Sequence, residues 1–192
     1  MFIYVDNIAM EEYFYSDAKI NTEKSLFYRL KTLLKGEMPV VVCIGTDAII
    51  GDSLGPLVGT MLEERIKDLF VYGSLQRTIT AKEVNTVAKY LERVHKNDKI
   101  LVIDAAVGND DDVGKIKISN APIKPGLGAD KDLEALGDIS IVSVVSAKEK
   151  DRCKVFSSLT RLSDIFNTAK IISNAITMYI RSIKEEKIIV NY

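Results

Sequence analysis

An α/β layer fold built on a largely parallel sheet is the class this sequence predicts. Two uninterrupted apolar runs, Val40–Ile44 and Ile100–Ile103, read as strands covered on both faces. Between and after them, apolar residues recur at helical spacing. Strands alternating with helices in this way form parallel sheets with right-handed crossovers. Such sheets bind ligands beyond the carboxyl ends of their strands.

The elements follow in order. Leu26, Leu30, Leu33 and Leu34 predict a helix over about 21–34, stopped by Gly36 and Pro39. After the first buried strand, Leu57, Val58, Met61, Leu62, Ile66 and Leu69 form one face of a second helix. Pro56 suits its first position, with Gly55 or Ser53 near the cap. Phe70–Tyr72 reads as a short strand. Thr80 and Glu83 make a capping-box pattern that opens a third helix, with Val84, Val87, Ala88, Leu91 and Val94 as its core face. The second buried strand ends in Asp104. "VGKIKIS" alternates like an edge or one-sided strand, and "DISIVSVVS" reads as another strand. From about Cys153 to Lys184 the pattern is helical, carried by Leu159, Leu162, Ile165, Phe166, Ala169, Ile172, Ile176 and Ile180. The closing "KIIVNY" reads as a strand or a loosely packed tail.

Composition narrows the function classes. The chain has 192 residues, 47% of them apolar, which suits one compact domain over 1–192 with residues 1–36 as an N-terminal segment whose helix packs on the core. A net charge of −1 argues against nucleic acid and anionic membranes as partners. No apolar run reaches the length of a membrane span, and the acidic N-terminus does not read as a signal peptide. Cys43 and Cys153 form no CxxC pair, so a reducing, cytoplasmic setting is expected.

Three acids fall at one predicted rim. Asp47 and Asp52 lie in the loop after the first buried strand, and Asp104 closes the second. Two carboxylates in one crevice force at least one pKa upward and can work as an acid and a base. Plainer roles stand beside this one. Asp52 could cap the following helix, and Asp47 could be a turn residue after Gly45. The glycines Gly45, Gly51, Gly55 and Gly59 match no dinucleotide or P-loop pattern. Gly51 and Gly55 suit a sharp turn and close approach to a bound chain. The one histidine, His95, is expected solvated or in a dipole contact at a helix end, at the opposite end of the sheet from the acids. With one histidine and no clustered cysteines, no metal or cofactor is expected. "NDDD" at Asn109–Asp112 reads as a solvated turn without EF-hand spacing.

"CIGTD…GDSLGPLVG", "VIDAAVG", "KPGLG", "LGDISIVSVVS" and "LTRLSDI" together resemble the YyaC-type sporulation proteins of endospore-forming bacteria. That family is similar to the spore germination protease and, more distantly, to hydrogenase-maturation endopeptidases. The resemblance implies a three-layer α/β sandwich of phosphorylase/hydrolase type, with a largely parallel or mixed central sheet. It also implies a catalytic pair at Asp52, in "DSLGP", and Asp104, in "IDA". The hydrogenase proteases carry metal-binding acids at these places plus a histidine that this chain does not match. Where the family has a polar run after "GTD", this chain has Ala48, Ile49 and Ile50.

Two functions are therefore expected. One is a cytoplasmic, peptidase-like hydrolase of sporulating cells. In it Asp52 and Asp104 act on water and the leaving nitrogen, and Thr46, Asp47, Gly51, Gly55 and Arg161 bind substrate. The other is a non-catalytic module that binds a peptide or protein with the same crevice. A metal-assisted hydrolase is the weaker alternative. Self-association is allowed by either.

Overall fold

The computed structural model describes residues 3–4, 11–15, 19–124, 135–147 and 161–190. Cys153, Leu159 and most of "KPGLG" lie outside them. The strands are β1 (Ile3–Tyr4), β2 (Glu11–Tyr15), β3 (Val40–Cys43), β4 (Val71–Tyr72), β5 (Ile100–Gly108), β6 (Lys115–Ser119) and β7 (Ile139–Ala147). The helices are α1 (Lys19–Leu34), α2 (Leu54–Arg65), α3 (Val84–Val94) and α4 (Leu162–Val190). One sheet runs β2-β6-β7-β5-β3-β4, with β1 added to β5. The pairs β3–β4, β3–β5, β5–β7 and β1–β5 are parallel, while β6 pairs antiparallel with β7 and β2.

Alternation along the buried strands divides the core between two faces. Val41, Cys43, Leu101, Ile103, Ile139 and Ile141 pack against α1, α2 and α4. Val40, Val42, Ile44, Val102, Ala106 and Val142 pack against α3. The result is a three-layer α/β sandwich with a mixed, mostly parallel sheet, as the sequence implies.

Several boundaries move. Strand β5 does not end at Asp104 but continues to Gly108, because β7 pairs with it from Leu101 to Gly108. Helix α2 begins at Leu54, so Pro56 takes its third position, where its missing N–H still costs no helical bond. Thr80 and Glu83 do bond each other, yet α3 starts only at Val84, and Val94 is exposed. Leu162 and Phe166 are exposed as well, since the buried stripe of α4 runs through Ile165, Ala169 and Ile172. The closing segment is neither strand nor loose tail up to Val190: it continues α4. Strand β6 is no edge. It is paired on both sides, and its Lys117 is only 3% exposed.

The turn between β3 and α2 is held by close backbone packing. A Cβ on Gly55 would overlap the Ile44 carbonyl oxygen, so only glycine lets α2 start against the end of β3. Gly45 adopts φ +141°, and a Cβ there would overlap the Asp52 carbonyl oxygen. Gly55→Ala has no φ problem and isolates the contact. It should destabilise the protein by about 2 kcal/mol or more through overpacking against main chain, read by denaturant melts. An alanine variant as stable as the parent would mean that α2 does not press on β3.

Candidate functional site

Asp104 occupies a break in the sheet. On one edge of β5, the β3 pairing ends at Cys43↔Ile103, after which Ile44 N–H donates to Ile103 O at 2.8 Å. On that same edge β1 starts at Ile3↔Ala106. In the gap, Asp104 Oδ1 accepts the Ala105 N–H at 2.8 Å. Its other oxygen, Oδ2, is buried with no hydrogen-bond partner. Asp104 is 0% exposed. It alternates with Val102 and Ala106 and so belongs to the α3 face of the sheet.

Asp52 reaches the same place from the turn. It sits in a short 3₁₀ turn, Gly51–Ser53, and is 2% exposed. Thr46 N–H donates to the Asp52 carbonyl at 3.0 Å, folding the turn back on the end of β3. No side chain caps α2, and the residue at its N-cap is Ser53, whose hydroxyl donates to Ile50 O at 2.6 Å. The capping role for Asp52 is thereby excluded.

Burial pushes both carboxyls up. For Asp104 it does so strongly, and the negative charge of Asp52 is the next largest cause. For Asp52 burial also dominates, partly opposed by the Thr46 backbone N–H. The two buried acids are therefore close enough for the charge of Asp52 to act on Asp104, although they come from different layers of the sandwich.

The other sequence candidates stand at differing distances from this centre. Thr46 is half-buried, and its hydroxyl accepts the Ala48 N–H at 3.3 Å. Asp47 is exposed in the turn. Gly51 is buried beside Asp52, and Gly55 is committed to packing on Ile44. Arg161 is exposed where α4 begins, and α4 packs against the Gly51–Ser53 turn. Sequence reasoning missed Lys117. Strand register places it across β7 from Asp104, through Lys117↔Val142 and Asp104↔Val142. Its alternation in "KIKIS" signalled a solvated face, and only the pairing of β6 on both sides buries it.

His95 lies at the other end of the sheet, as expected, but it is not solvated. It is 6% exposed, between Tyr72 at 2.8 Å from Nε2 and Asp98 at 2.7 Å from Nδ1. Burial, with Tyr90 beside it, pushes the Tyr72 hydroxyl up to about 12. The Tyr72 hydroxyl and Asp98 Oδ2 thus bracket the ring of His95, one at each nitrogen. His95 closes the C-terminus of α3 and cannot serve the acid pair. Among the described residues no three His, Cys, Asp or Glu side chains gather as metal ligands. No helix among the described residues is long and apolar enough to cross a membrane.

The chain belongs to the family described as "Protein of unknown function (DUF1256)", whose model matches residues 12–175. It is 35% identical over 144 residues to the uncharacterized protein YyaC of Bacillus subtilis (strain 168), covering 74% of this chain and 70% of that one. Among solved structures it is similar to the [NiFe] hydrogenase maturation protease HycI from Thermococcus kodakarensis KOD1. The match has a TM-score of 0.48 and 18% identity, over 77% of this chain and 98% of that one.

The raised carboxyl of Asp104 has a defined pH signature. A folded-state pKa above the unfolded value makes ionisation oppose folding. Stability then falls by up to about 1.4 kcal/mol per pH unit from the unfolded pKa, near 4, up to the folded pKa. Asp104→Asn keeps an oxygen for the Ala105 N–H and removes the charge. It should match the parent in acid and exceed it near neutral pH in denaturant melts. An asparagine variant that is weaker at neutral pH and equal in acid would mark Asp104 as a stabilising ion.

Proposed function

We propose that this DUF1256-family chain is a peptidase-like hydrolase of sporulating cells that works on an extended peptide with Asp52 and Asp104. The observation that carries the reading is the burial of both carboxyls near the end of β3, close enough that the charge of Asp52 raises Asp104. The resemblance of "DSLGP" and "IDA" to the acid motifs of the germination protease supports the same two residues.

The two environments divide the roles. Asp104 is the more strongly perturbed and keeps its proton, so it is the acid. Asp52, ionised, takes a proton from water as the water oxygen attacks the peptide carbonyl carbon. Asp104 then gives its proton to the leaving nitrogen as the C–N bond breaks. Transfer of the proton from Asp52 to Asp104 restores the pair. Thr46, Asp47 and Gly51 lie in the turn that would border the substrate. Gly55 fixes that turn from beneath, and the exposed Arg161 is the planar cation that would take a substrate carboxylate.

A binding module without chemistry is the second reading. Ile50, two residues before Asp52, is 48% exposed and gives the rim an apolar contact of the kind that holds a partner.

Asp52→Asn and Asp104→Asn should each lower hydrolysis at least about 100-fold while the protein stays folded. The assay is the full chain incubated with a mixture of unstructured synthetic peptides, with cleavage read by mass spectrometry and fold by circular dichroism. Cleavage by either variant at the parental rate would reject the acid pair. Binding by the parent without any cleavage would favour the second reading.

A further inference from the structure

Strand β1 occupies an unusual position. Strand β7 covers one edge of β5 from Leu101 to Gly108, with one register shift between Ala106 and Val107. The other edge is shared: β3 covers Ile100–Ile103, and β1 covers Ala106 and Val107. Asp104 and Ala105 lie between the two, at the point where Asp52 faces β5. The edge of β5 beside the acid pair is therefore a slot for an extended chain, and a segment from far away in sequence already lies in it, parallel to β5.

We propose that β1 stands where substrate binds: the polypeptide this site recognises adds to β5 as a parallel strand over Ala106–Val107, in place of Ile3–Tyr4. The proposal rests on the crevice being a peptide site and says how that site holds its chain. Recognition through main-chain groups suits an extended, unstructured segment and asks little of its side chains. Register fixes the reacting bond. In a chain parallel to β5, the residue two places before the one opposite Ala106 comes opposite Asp104, about 7 Å back along the strand. The residues after the scissile bond are thus the ones held by β5.

The same geometry makes β1 a competitor. It is paired through two residues, Ile3↔Ala106 and Tyr4↔Val107. A strand this short opens at low cost, whereas the central β3–β5–β7 pairing is buried on both faces. Tethering gives β1 a high local concentration without making it permanent, so a substrate must displace it.

Hydrogen exchange on the full chain tests this without requiring turnover. Ile3→Pro removes a strand N–H and should release β1 while leaving the melting curve unchanged. At least one amide within Ala106–Gly108 should then exchange about tenfold faster or more, since only local opening limits it. A synthetic peptide carrying residues 1–8 should restore that protection. It should also bind the variant at least about tenfold more tightly than the parent, whose slot is filled from within. If Ile3→Pro lowers the melting curve, Ile3→Gly provides a milder second opening at the residue whose main chain faces β5. Unchanged exchange in a folded variant, or an opened slot that does not take the peptide, overturns the proposal. Peptide capture by a chain that cleaves nothing would leave the slot standing and remove the hydrolase reading. Cleavage that is indifferent to an opened β1 would do the reverse.

Discussion

The contact of Gly55 with the Ile44 carbonyl, and of Gly45 with the Asp52 carbonyl, is where the architecture becomes a site. Both are backbone-to-backbone approaches that any side chain would prevent. Together they force the chain to leave β3, turn within a few residues and enter α2 against the strand it has just left. Asp52 sits at the innermost point of that turn and is buried as a consequence. If α2 stood off by the width of a methyl group, Asp52 would move toward solvent and away from Asp104.

Burying two acids side by side works against folding, and magnitudes show what that implies. A helix-capping acid stabilises by about 1 kcal/mol. A second buried acid beside an ionised one has the opposite effect, because its own ionisation is opposed by burial and by the neighbouring charge. A fold gains nothing structural from the second arrangement, and here the first is absent: α2 has no side-chain cap. Groups of this kind, held against their own preference by the surrounding packing, are common at catalytic centres. Asp104 adds a further feature. Its Oδ1 takes the Ala105 N–H that a neighbouring strand would otherwise claim, so the carboxylate itself keeps the edge of β5 open between β3 and β1.

Much of this was legible in the residues. The apolar runs at Val40–Ile44 and Ile100–Ile103 placed the two central strands, and the acids after them marked the rim, because burial on both faces leaves an unmistakable composition. What failed was whatever depends on pairing between distant segments. Asp104 read as a strand end, since nothing local announces that β7 continues beside Gly108. Strand β1 went unread because its two residues carry no period. Lys117 read as solvated because alternation says which face a residue takes but not whether that face is covered. His95 was placed at the correct end of the sheet by the order of elements, yet its burial between Tyr72 and Asp98 depends on β4 and the α3–β5 loop converging. Leu162 and Phe166 fitted the apolar pattern of α4 and still face outward, because a broad apolar stripe does not say which of its edges is covered.

The central claim is that Asp52 and Asp104 share one buried crevice and titrate as a coupled pair. Carbon-13 NMR of the two side-chain carboxyls across pH, in the parent and in Asp52→Asn, measures it directly. The account predicts that Asp104 titrates well above the ordinary carboxylate range in the parent. In the variant its pKa should fall while remaining raised by burial. An Asp104 carboxyl that titrates near 4, or one whose titration ignores the loss of the Asp52 charge, would contradict it.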